Sequence, residues 1–396
     1  MTLDMAAPLK SGWRRVKFGD VVRLSKARSQ NPLADGLERY VGLEHLEPGD
    51  LRIRSWGNVA DGTTFTNRFE PGQVLFGKRR AYQRKVAVAD FAGVCSGDIY
   101  VLESKDADVL LPELLPFICQ TDAFFEHAVG TSAGSLSPRT NWTSLADFVL
   151  LLPPMLRQKE LIKLCRAAYE CVQSIEQACQ AFGSVIQAQK DVLGDGASLL
   201  KAKEYLLSAL LVRSPESGCS APPKDASTGH FVLGLASLSR RGYVSGDFKA
   251  VEPSSKMLAA RLTPGDLLIS RSNTADRVGY VGIFTDERND ISFPDTMMRL
   301  KSNPSLIDPR YLEALLQATP AREYLMRIAA GTSASMKKIN RANLLNMPLR
   351  VPPLEDQRVF LSTLDTFRKA MSGQLERLET ARSFARKAAA MALDGG

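Results

Sequence analysis

The clearest pattern of apolar and polar positions is a heptad repeat in the middle of the chain. Its apolar residues recur in alternating steps of four and three: Leu161, Cys165, Ala168, Val172, Ile175, Cys179, Phe182 and Ile186. This spacing places one continuous apolar seam on a helix. Pro154 precedes the seam, where a missing N–H costs nothing, and Gly194 follows it as a helix breaker. The pattern therefore predicts one long helix after Pro154.

A second seam lies near the end of the chain. It consists of Leu361, Leu364, Met371, Leu375 and Leu378, with Arg368 and Arg382 at interrupting positions. A shorter amphipathic run at residues 198–212 extends the first helical region. Because an exposed seam must be covered, the two long helices are expected to pack on each other, antiparallel about a pseudo-two-fold axis. Helices of another protein are the alternative partner.

Short runs rich in β-branched and aromatic residues predict strands between the helices. Examples are DIYVLES from Asp98, YVGIFT from Tyr280 and MMRLK from Met297. Six blocks recur in the same order with offsets of 192 to 201, including PELLPFICQ from Pro112 and PRYLEALLQ from Pro309. Such self-similarity indicates two copies of one structural unit. Each copy is predicted to be mixed α/β and to run into one long helix.

Two of the repeated blocks have the traits of phosphate-binding loops. GTSAGSLSPRTNW begins at Gly130 and GTSASMKKINRAN begins at Gly331, each after a predicted helix. Glycine permits close approach of a ligand, and hydroxyl, amide and cationic groups hold a DNA backbone. An ordinary helix C-cap is the alternative. The candidate contacts are Thr131, Ser132, Arg139, Asn141, Thr332, Ser333, Lys337, Lys338, Arg341 and Asn343.

A second pair of basic segments differs between the copies. KRRAYQRK from Lys78 lies between two predicted strands, and SRSNTADR lies at the equivalent place in the second copy. Arginine and asparagine are the side chains that read guanine and adenine in the major groove, whereas a solvated charged loop is the alternative. The candidate residues are Lys78, Arg79, Arg80, Tyr82, Arg84, Lys85, Arg271, Asn273 and Arg277.

Composition adds only a weak preference for an anionic partner. The formal charge is +8, but residues 1–154 hold 18 basic and 18 acidic residues, whereas residues 214–352 hold 18 and 13. The six cysteines form no C-x-x-C pair, and only three histidines are present, so the cysteines are interpreted as reduced buried thiols rather than zinc ligands. No apolar run is long enough for a membrane span and no secretory h-region opens the chain, which predicts a cytoplasmic protein.

The catalytic motifs that the sequence resembles are all incomplete. GQVLFGK from Gly72 has P-loop spacing but is followed by Arg79 instead of the serine or threonine that binds magnesium. Asp98, Glu103 and Lys105 resemble the acidic pair and lysine of a nuclease, which keeps a stand-alone nuclease as an alternative. No amino-methyltransferase motif occurs. A non-enzymatic binding protein is the favoured interpretation.

The duplicated pattern resembles the specificity subunits of Type I restriction–modification systems. GWRRVKFGDVVRL from Gly12 is similar to the opening of that family's target recognition domain, although the second copy has no such opening. The pattern G-T-S…N…P-P…Q is similar to the end of such a domain running into a spacer helix. It is read first at Gly130, Thr131, Ser132, Asn141, Pro153, Pro154 and Gln158, and again at Gly331, Thr332, Ser333, Asn343, Pro352, Pro353 and Gln357.

The resemblance implies a mixed α/β fold with two target recognition domains in tandem and two long antiparallel, coiled-coil-like spacer helices. The expected segments are a first recognition domain at 1–154, a first spacer helix at 155–213, a second recognition domain at 214–352 and a second spacer helix at 353–396. The resemblance further implies recognition of a bipartite double-stranded DNA site and docking of two adenine methyltransferase subunits. Restriction subunits are a further expected partner. S-adenosylmethionine, ATP and Mg²⁺ are expected on those partners, and no cofactor on this chain. A methylation-only or fused Type II-like system and a helical adaptor stay as alternatives.

Overall fold

The computed structural model describes residues 9–195, 201–225, 228–331 and 336–391. The chain divides into two compact units: Met1–Gln177 with Leu375–Gly396, and Ala178–Gln374. Each unit contains one mixed α/β domain and part of each long helix. The predicted duplicated α/β class with two long helices is confirmed.

Two sheets build the α/β domain of the first unit. The first sheet is antiparallel, with strands in the spatial order Val22–Leu24, Ile99–Ser104, Val74–Gly77, Val86–Val88. The second has the order Gly57–Asn58, Arg39–Val41, Gly93–Cys95, Asn67–Phe69, and its two central strands are parallel. The strand Val74–Gly77 is buried along its whole length, as expected for a central strand covered on both faces. The helices of this domain are Phe18–Val21, Leu115–Cys119, Asp122–Gly130 and Trp142–Ala146.

The second unit repeats this plan. Its antiparallel sheet has the order Glu216–Ser217, Met297–Leu300, Leu267–Ser270, Val281–Ile283. Its other sheet has the order Phe248–Ala250, Phe231–Leu233, Ile291–Ser292, again with one parallel pair. The helices are Ser255–Ala259, Pro309–Gln317, Thr319–Ile328 and Arg341–Leu345.

The two long helices are Met155–Asp195 and Leu354–Ala390, as the heptad seams predict. They pair in opposite directions within each unit. In the first unit, Arg382 of the second helix lies 2.7 Å from Glu176 of the first, and Ala388 packs in one core with Leu161. In the second unit, Leu361 of the second helix shares a core with Leu193 of the first. The arginine that interrupts the second seam at position 382 is therefore neutralised by an ion pair with Glu176.

The helix expected for residues 198–212 is not formed in the described part of that segment. Lys203–Leu206 is a strand that pairs with Pro348–Val351, as Arg14–Lys17 pairs with Val149–Leu152 in the first unit. The amide of Leu207 donates to the carbonyl of Met347 at 2.8 Å, which repeats the contact of Phe18 with Phe148 at 2.7 Å. The second copy therefore does have an opening strand.

The opening strand of the second copy was missed because it lacks the tryptophan and glycine that mark the first. The apolar residues that follow the strand, Leu207, Leu210 and Leu211, are all buried, and their spacing suits a helix as well as the observed short 3-10 helix Leu207–Leu210. The segment taken as a second domain from residue 214 thus leaves out a strand that folds with it.

The glutamine of the first repeated P-P…Q motif is a buried clamp at the start of the first long helix. Gln158 is 1% exposed, and its Oε1 accepts a hydrogen bond from the amide of Leu111 at 2.9 Å. Its Nε2 donates to the carbonyls of Val109 at 2.8 Å and Pro153 at 3.0 Å. These bonds satisfy backbone groups that would otherwise be buried without partners.

Gln357 repeats the clamp in the second unit. It is fully buried, accepts from the amide of Asp308 at 2.9 Å, and donates to the carbonyls of Leu306 at 2.9 Å and Pro352 at 2.8 Å. The motif recurs in the sequence because each domain uses the same side chain to hold the loop before its helix pair against the start of a long helix.

Within the described residues, no helix has both the length and the apolar character needed to cross a membrane.

Candidate nucleic-acid interface

In the first unit, the fold brings the two predicted DNA-binding segments together. Residues 132–140 form a hairpin in which Ser132–Ala133 pairs with Arg139–Thr140. The amide of Thr140 donates to the carbonyl of Lys78 at 3.0 Å, and the amide of Arg80 donates to the carbonyl of Pro138 at 2.7 Å. The loop at residues 78–85 and the GTSA hairpin are therefore one continuous surface.

Three arginines at this junction share two partners. Asp98 pairs with Arg139 at 2.8 Å and with Arg79 at 3.1 Å. The hydroxyl of Ser137 accepts from Arg79 at 3.1 Å and from Arg80 at 3.3 Å. The Nε atoms of Arg79 and Arg80 are buried without a hydrogen-bond partner in the described structure. Because these Nε atoms are out of contact with solvent, a phosphate or a base edge would have to meet the terminal nitrogens of the two half-buried guanidinium groups.

Asp98 remains ionised because of its neighbours. Its partial burial raises the pKa, but the hydrogen bonds from Arg139 and Arg79 outweigh burial and hold the pKa below its ordinary value. The carboxylate reduces the local positive charge while fixing the position of both guanidinium groups. Asp98 and Ser137 were missed as members of the site. In GSLSPRT, polar side chains alternate at positions 135, 137 and 139, and this spacing could have placed Ser137 on the same side of the hairpin as Arg139.

Other residues of the 78–85 segment are held more firmly by the protein. Arg84 has a left-handed backbone with φ of 56°, pairs with Asp122 at 2.6 Å and lies over the ring of Phe125. Lys85 donates to the carbonyl of Leu43 at 2.7 Å. Tyr82, in contrast, is 56% exposed. Of these three predicted contacts, only Tyr82 is presented freely to solvent.

Lys78 is less exposed than Tyr82 but makes no ion pair like that of Arg84 within the described residues. Its Nζ lies 4.6 Å from the centre of the Tyr100 ring, and burial lowers its pKa. The exposed Arg28, which the sequence analysis did not select, lies close enough to Lys78 to contribute to that lowering.

The hydroxyl groups of the first GTSA block bind back onto their own helix. Thr131 Oγ1 donates to the carbonyl of His127 at 2.8 Å, and Ser132 Oγ donates to that of Ala128 at 2.7 Å. Asn141 caps the short helix that follows by accepting from the amide of Ser144 at 2.8 Å. This geometry corresponds to the helix-capping alternative. A phosphate contact by either hydroxyl would require its hydrogen to turn away from the helix.

The second unit builds the same junction from different residues. Ser272–Asn273 pairs with Lys337–Ile339, which also pairs with Ala329–Ala330. The amide of Ile339 donates to the carbonyl of Arg271 at 2.9 Å, matching the bond from Thr140 to Lys78 in the first unit. The two divergent loops therefore occupy equivalent positions.

The predicted contacts of this second loop vary in exposure. Asn273 is 6% exposed and its side chain bonds to Ser270 Oγ at 3.3 Å, so it does not face solvent. Arg277 is exposed next to Asp276. Arg271 is half-buried.

The second GTSA block contributes cations to this junction. Lys337 donates to the carbonyl of Gly331 at 2.6 Å, and Lys338 is exposed opposite Ser272. The predicted contacts Thr332 and Ser333 lie outside the described residues.

The structure changes which asparagine of the second GTSA block corresponds to Asn141 of the first. Asn340 accepts from the amide of Ala342 at 2.8 Å and caps Arg341–Leu345, so it is the equivalent of Asn141. Asn343, which the sequence comparison matched to Asn141, is an exposed residue inside that helix. Arg341 donates to Ser217 Oγ at 3.0 Å. The mismatch arose because loop insertions change the spacing after each glycine.

The acidic residue at the junction is also specific to the first unit. Gly77 pairs with Ile99 in the first unit as Ser270 pairs with Met297 in the second, so the equivalent of Asp98 is Thr296. Asp295, the residue before Thr296, accepts a hydrogen bond from Ser220 Oγ at 2.5 Å.

The structure does not assemble the proposed nuclease triad. Glu103 pairs with Arg23 at 2.7 Å, whereas Asp98 pairs with arginines of the junction. Lys105 donates to the carbonyl of Gly19. No group of three metal-binding side chains occurs among the described residues. The P-loop-like segment is the buried strand Val74–Gly77, so it cannot wrap a phosphate.

The six cysteines are all unpaired thiols. Burial raises the pKa of Cys95 to about 12 and of Cys165 to about 11. Cys95, Cys119, Cys165 and Cys179 are buried, as expected, whereas Cys171 is exposed and Cys219 is half-buried, so the expectation of buried thiols is wrong for those two.

The fold and the two junctions together define a class: a duplicated α/β scaffold that presents a basic loop and hairpin twice and carries two long helices. No protein-family model matches the chain. Its sequence is 26% identical over 179 residues to the specificity subunit of the type I restriction enzyme EcoDI from Escherichia coli, covering 43% of this chain and 37% of that protein. It is 24% identical over 304 residues to the EcoKI specificity subunit of Escherichia coli strain K12. That alignment covers 68% of this chain and 64% of the EcoKI subunit. The aligned regions thus span less than two thirds of these relatives' lengths.

Solved structures agree on the fold. A chain from a study of complex assembly and conformational transition in the type I R-M system matches with a TM-score of 0.62 and 18% identity over 98% of both chains. The type I S subunit from M. genitalium matches with a TM-score of 0.53 and 10% identity, covering 99% of this chain and 98% of that one. The chain resembles the specificity subunits of Type I restriction–modification systems in sequence, and it has their fold.

Proposed function

We propose that this chain is the DNA-recognition subunit of a Type I restriction–modification system and that each α/β domain reads one half of a bipartite duplex site. The observation that carries the proposal is the duplicated junction of basic loop and hairpin. The backbone contact is the same in both units, from Thr140 to Lys78 and from Ile339 to Arg271, whereas the side chains differ. A constant scaffold with variable donors suits two readers of different short sequences.

The chemistry of the junction fits duplex DNA. Arg79, Arg139 and Lys338 are cations at or near the surface, and cations on a DNA-binding face contribute affinity through phosphate contacts. Arginine also donates to guanine O6 and N7 in the major groove. In this proposal Arg79 and Arg80 read bases in the first half-site through their terminal guanidinium nitrogens.

The long helices have a separate role in the proposal. They set the gap between the half-sites and dock two adenine methyltransferase subunits, with restriction subunits as further partners. S-adenosylmethionine, ATP and Mg²⁺ belong to those partners. This chain then acts in the cytoplasm without catalytic chemistry of its own.

Co-expression with the cognate modification subunit tests the proposal. Adenine methylation across the host genome is expected at one split sequence motif, and its absence in an otherwise active complex contradicts the proposal. Lengthening the first long helix by whole turns is expected to widen the gap in that motif without altering its bases. Altered bases with an unchanged gap would contradict the role assigned to the helix.

A further inference from the structure

The second unit contains a cleft of about 600 Å³ with an unusually cationic lining. One wall is the part of the first long helix that carries Lys190, and another is the turn of the hairpin at Arg240 and Arg241. The second long helix closes it with Arg368 and Met371. All of these residues belong to the unit Ala178–Gln374.

Lys190 is the buried charge in this cleft. It is 4% exposed, and its Nζ donates one hydrogen bond, to Gln317 Oε1 at 2.6 Å. An ammonium group has three hydrogens to donate, and burying a charge is costly unless it is paired. Burial, followed by the repulsion of Arg368, lowers the pKa of Lys190 to about 8. An anion bound in the cleft would offset both the burial of the ammonium charge and its repulsion by Arg368.

The neighbouring carboxylates Asp191 and Glu313 offset only part of the charge of the cluster, because their raising of the Lys190 pKa is outweighed by burial and by Arg368. Asp191 accepts from Gln187 at 2.9 Å and from the amide of Thr319 at 2.7 Å. Glu313 accepts from the amide of Ile283 at 3.1 Å and lies 3.6 Å from Arg368. Arg368 therefore has Glu313 as a partner, whereas Lys190, Arg240 and Arg241 form no ion pair among the described residues.

Arg240 and Arg241 carry the remaining positive charge. Both are exposed, and neither guanidinium donates a hydrogen bond within the described part of the chain. Arg240 lies close enough to Lys190 and to Arg322 to lower the pKa of each. Like charges gathered in this way are unfavourable unless something opposes them.

The equivalent place in the first unit has different chemistry. Gln120 stands there at the position of Gln317 in the repeated helix block. The cleft beside it, of about 390 Å³, includes Asp50 and Glu176 as well as Arg382. Arg84 and Arg386 also line this cleft, so three arginines stand with two carboxylates. Arg382 pairs with Glu176 at 2.7 Å, and Arg84 pairs with Asp122 at 2.6 Å. The surplus of cations is larger in the second unit, whose cleft is lined by four cations and one carboxylate.

We propose that the second-unit cleft is an anion site for a phosphate-bearing ligand, held by Lys190, Arg240, Arg241 and Arg368. Guanidinium and ammonium groups converging on one cleft suit phosphate oxygens. The phosphate can come from the DNA backbone or from a free polyphosphate. The proposal is independent of the recognition junction, which uses other residues of the same unit.

Titration calorimetry with tripolyphosphate at constant ionic strength tests the site. The wild-type chain is expected to bind one equivalent, and Arg240→Ser with Arg241→Ser is expected to weaken binding at least tenfold. Lys190→Gln is expected to weaken it as well, because glutamine keeps a partner for Gln317 but removes the charge. The matched control is Lys249→Ser with Lys256→Ser, which removes two exposed cations of the same unit and should bind as the wild type does.

Two results overturn the proposal: no tripolyphosphate binding by the wild type, or equal weakening in the control pair. A duplex of arbitrary sequence identifies the source of the phosphate. If the DNA backbone is the ligand, the arginine pair also weakens duplex binding more than the control pair does. If a free polyphosphate is the ligand, duplex binding falls equally in both pairs. Circular dichroism on each variant verifies that it is folded.

Discussion

The two α/β units share the buried glutamine that holds the start of each long helix, but they differ in their charged groups. Gln158 and Gln357 make the same three hydrogen bonds in their own units. At the recognition junction, however, Asp98 of the first unit is replaced by Thr296 in the second. The difference teaches that duplication preserved the contacts that orient each domain on its helix, while the cationic loops were free to diverge.

The largest expected effect is loss of a glutamine clamp. Gln158→Ala leaves three buried backbone groups without partners, which costs about 3 kcal/mol in the stability of the first unit. Gln357→Ala should cost the second unit a similar amount. Hydrogen exchange measures this locally, since the amides of Leu111 and Asp308 should each exchange faster only in the variant of their own unit.

Gln180→Ala is the matched control, because Gln180 is an exposed glutamine on the first long helix. If hydrogen exchange accelerates in only one of the variants Gln158→Ala and Gln357→Ala, the two glutamines do not play equivalent roles in their units.

The next effect concerns a buried carboxylate of the second unit. Asp266 is 1% exposed and pairs with Lys301 at 2.7 Å and Arg299 at 2.9 Å. Its equivalent in the first unit is the neutral Gln73, which donates to Glu103 at 2.8 Å. Asp266→Asn is expected to destabilise the second unit by about 2 kcal/mol, because both cations lose a charged partner. Denaturant unfolding of the variant, compared with the exposed control Glu252→Gln, measures this difference.

Asp266 also predicts a pH dependence. Burial raises its pKa, but hydrogen bonds from Lys301, from the amide of Thr263 and from Arg299 hold the pKa below its ordinary value. Because the folded pKa lies below the unfolded one, the stabilisation is complete above the unfolded pKa and is lost as the pH falls through the folded pKa. Acid should therefore destabilise the wild type more than Asp266→Asn. An equal acid response in both proteins would contradict this assignment.

A smaller effect is expected on DNA affinity. Arg79→Ser with Arg139→Ser should weaken duplex binding about tenfold and lower the slope of log K against log salt by about 2. Lys338→Ser in the second unit should lower that slope by about 1. Fluorescence anisotropy across a salt series measures both changes. Lys159→Ser with Lys163→Ser, two exposed lysines of the first long helix, should leave the slope unchanged.

The smallest expected effect comes from exchanging the acidic residue of the junction. Asp98→Asn removes a carboxylate that competes with phosphate for Arg79 and Arg139, so non-specific duplex binding should strengthen about threefold. Thr296→Asp should weaken binding by the second unit to a similar degree. The expected result is that duplex affinity rises in Asp98→Asn and falls in Thr296→Asp. A change of affinity in the same direction in both variants would refute the charge comparison.

Much of this architecture could be predicted from the sequence because its signals are periodic. The heptad seams located both long helices, and the repeated blocks located both α/β domains. The opening strand Lys203–Leu206 was missed because it lacks the tryptophan and glycine of the first opening and because the buried leucines after it also fit a helix. Strand pairing with Pro348–Val351 depends on contacts about 145 residues apart, which local spacing does not encode.

The candidate site was predictable in part. Both basic segments were found, but their convergence into one surface required the pairing of Arg139 with Arg79, 60 residues apart in sequence. The buried state of Asn273 and the capping role of Asn141 follow from tertiary and local hydrogen bonds. Residue type alone made both asparagines appear available to DNA.

The central claim is that each unit reads its own half of a split DNA site. The most direct measurement is the adenine methylome produced by the co-expressed complex when only the first junction is altered, by Arg79→Ser with Arg139→Ser. The predicted result is a motif whose bases broaden in one half while the other half and the gap stay the same. Broadening of both halves to the same degree, or an unchanged motif, would contradict the account.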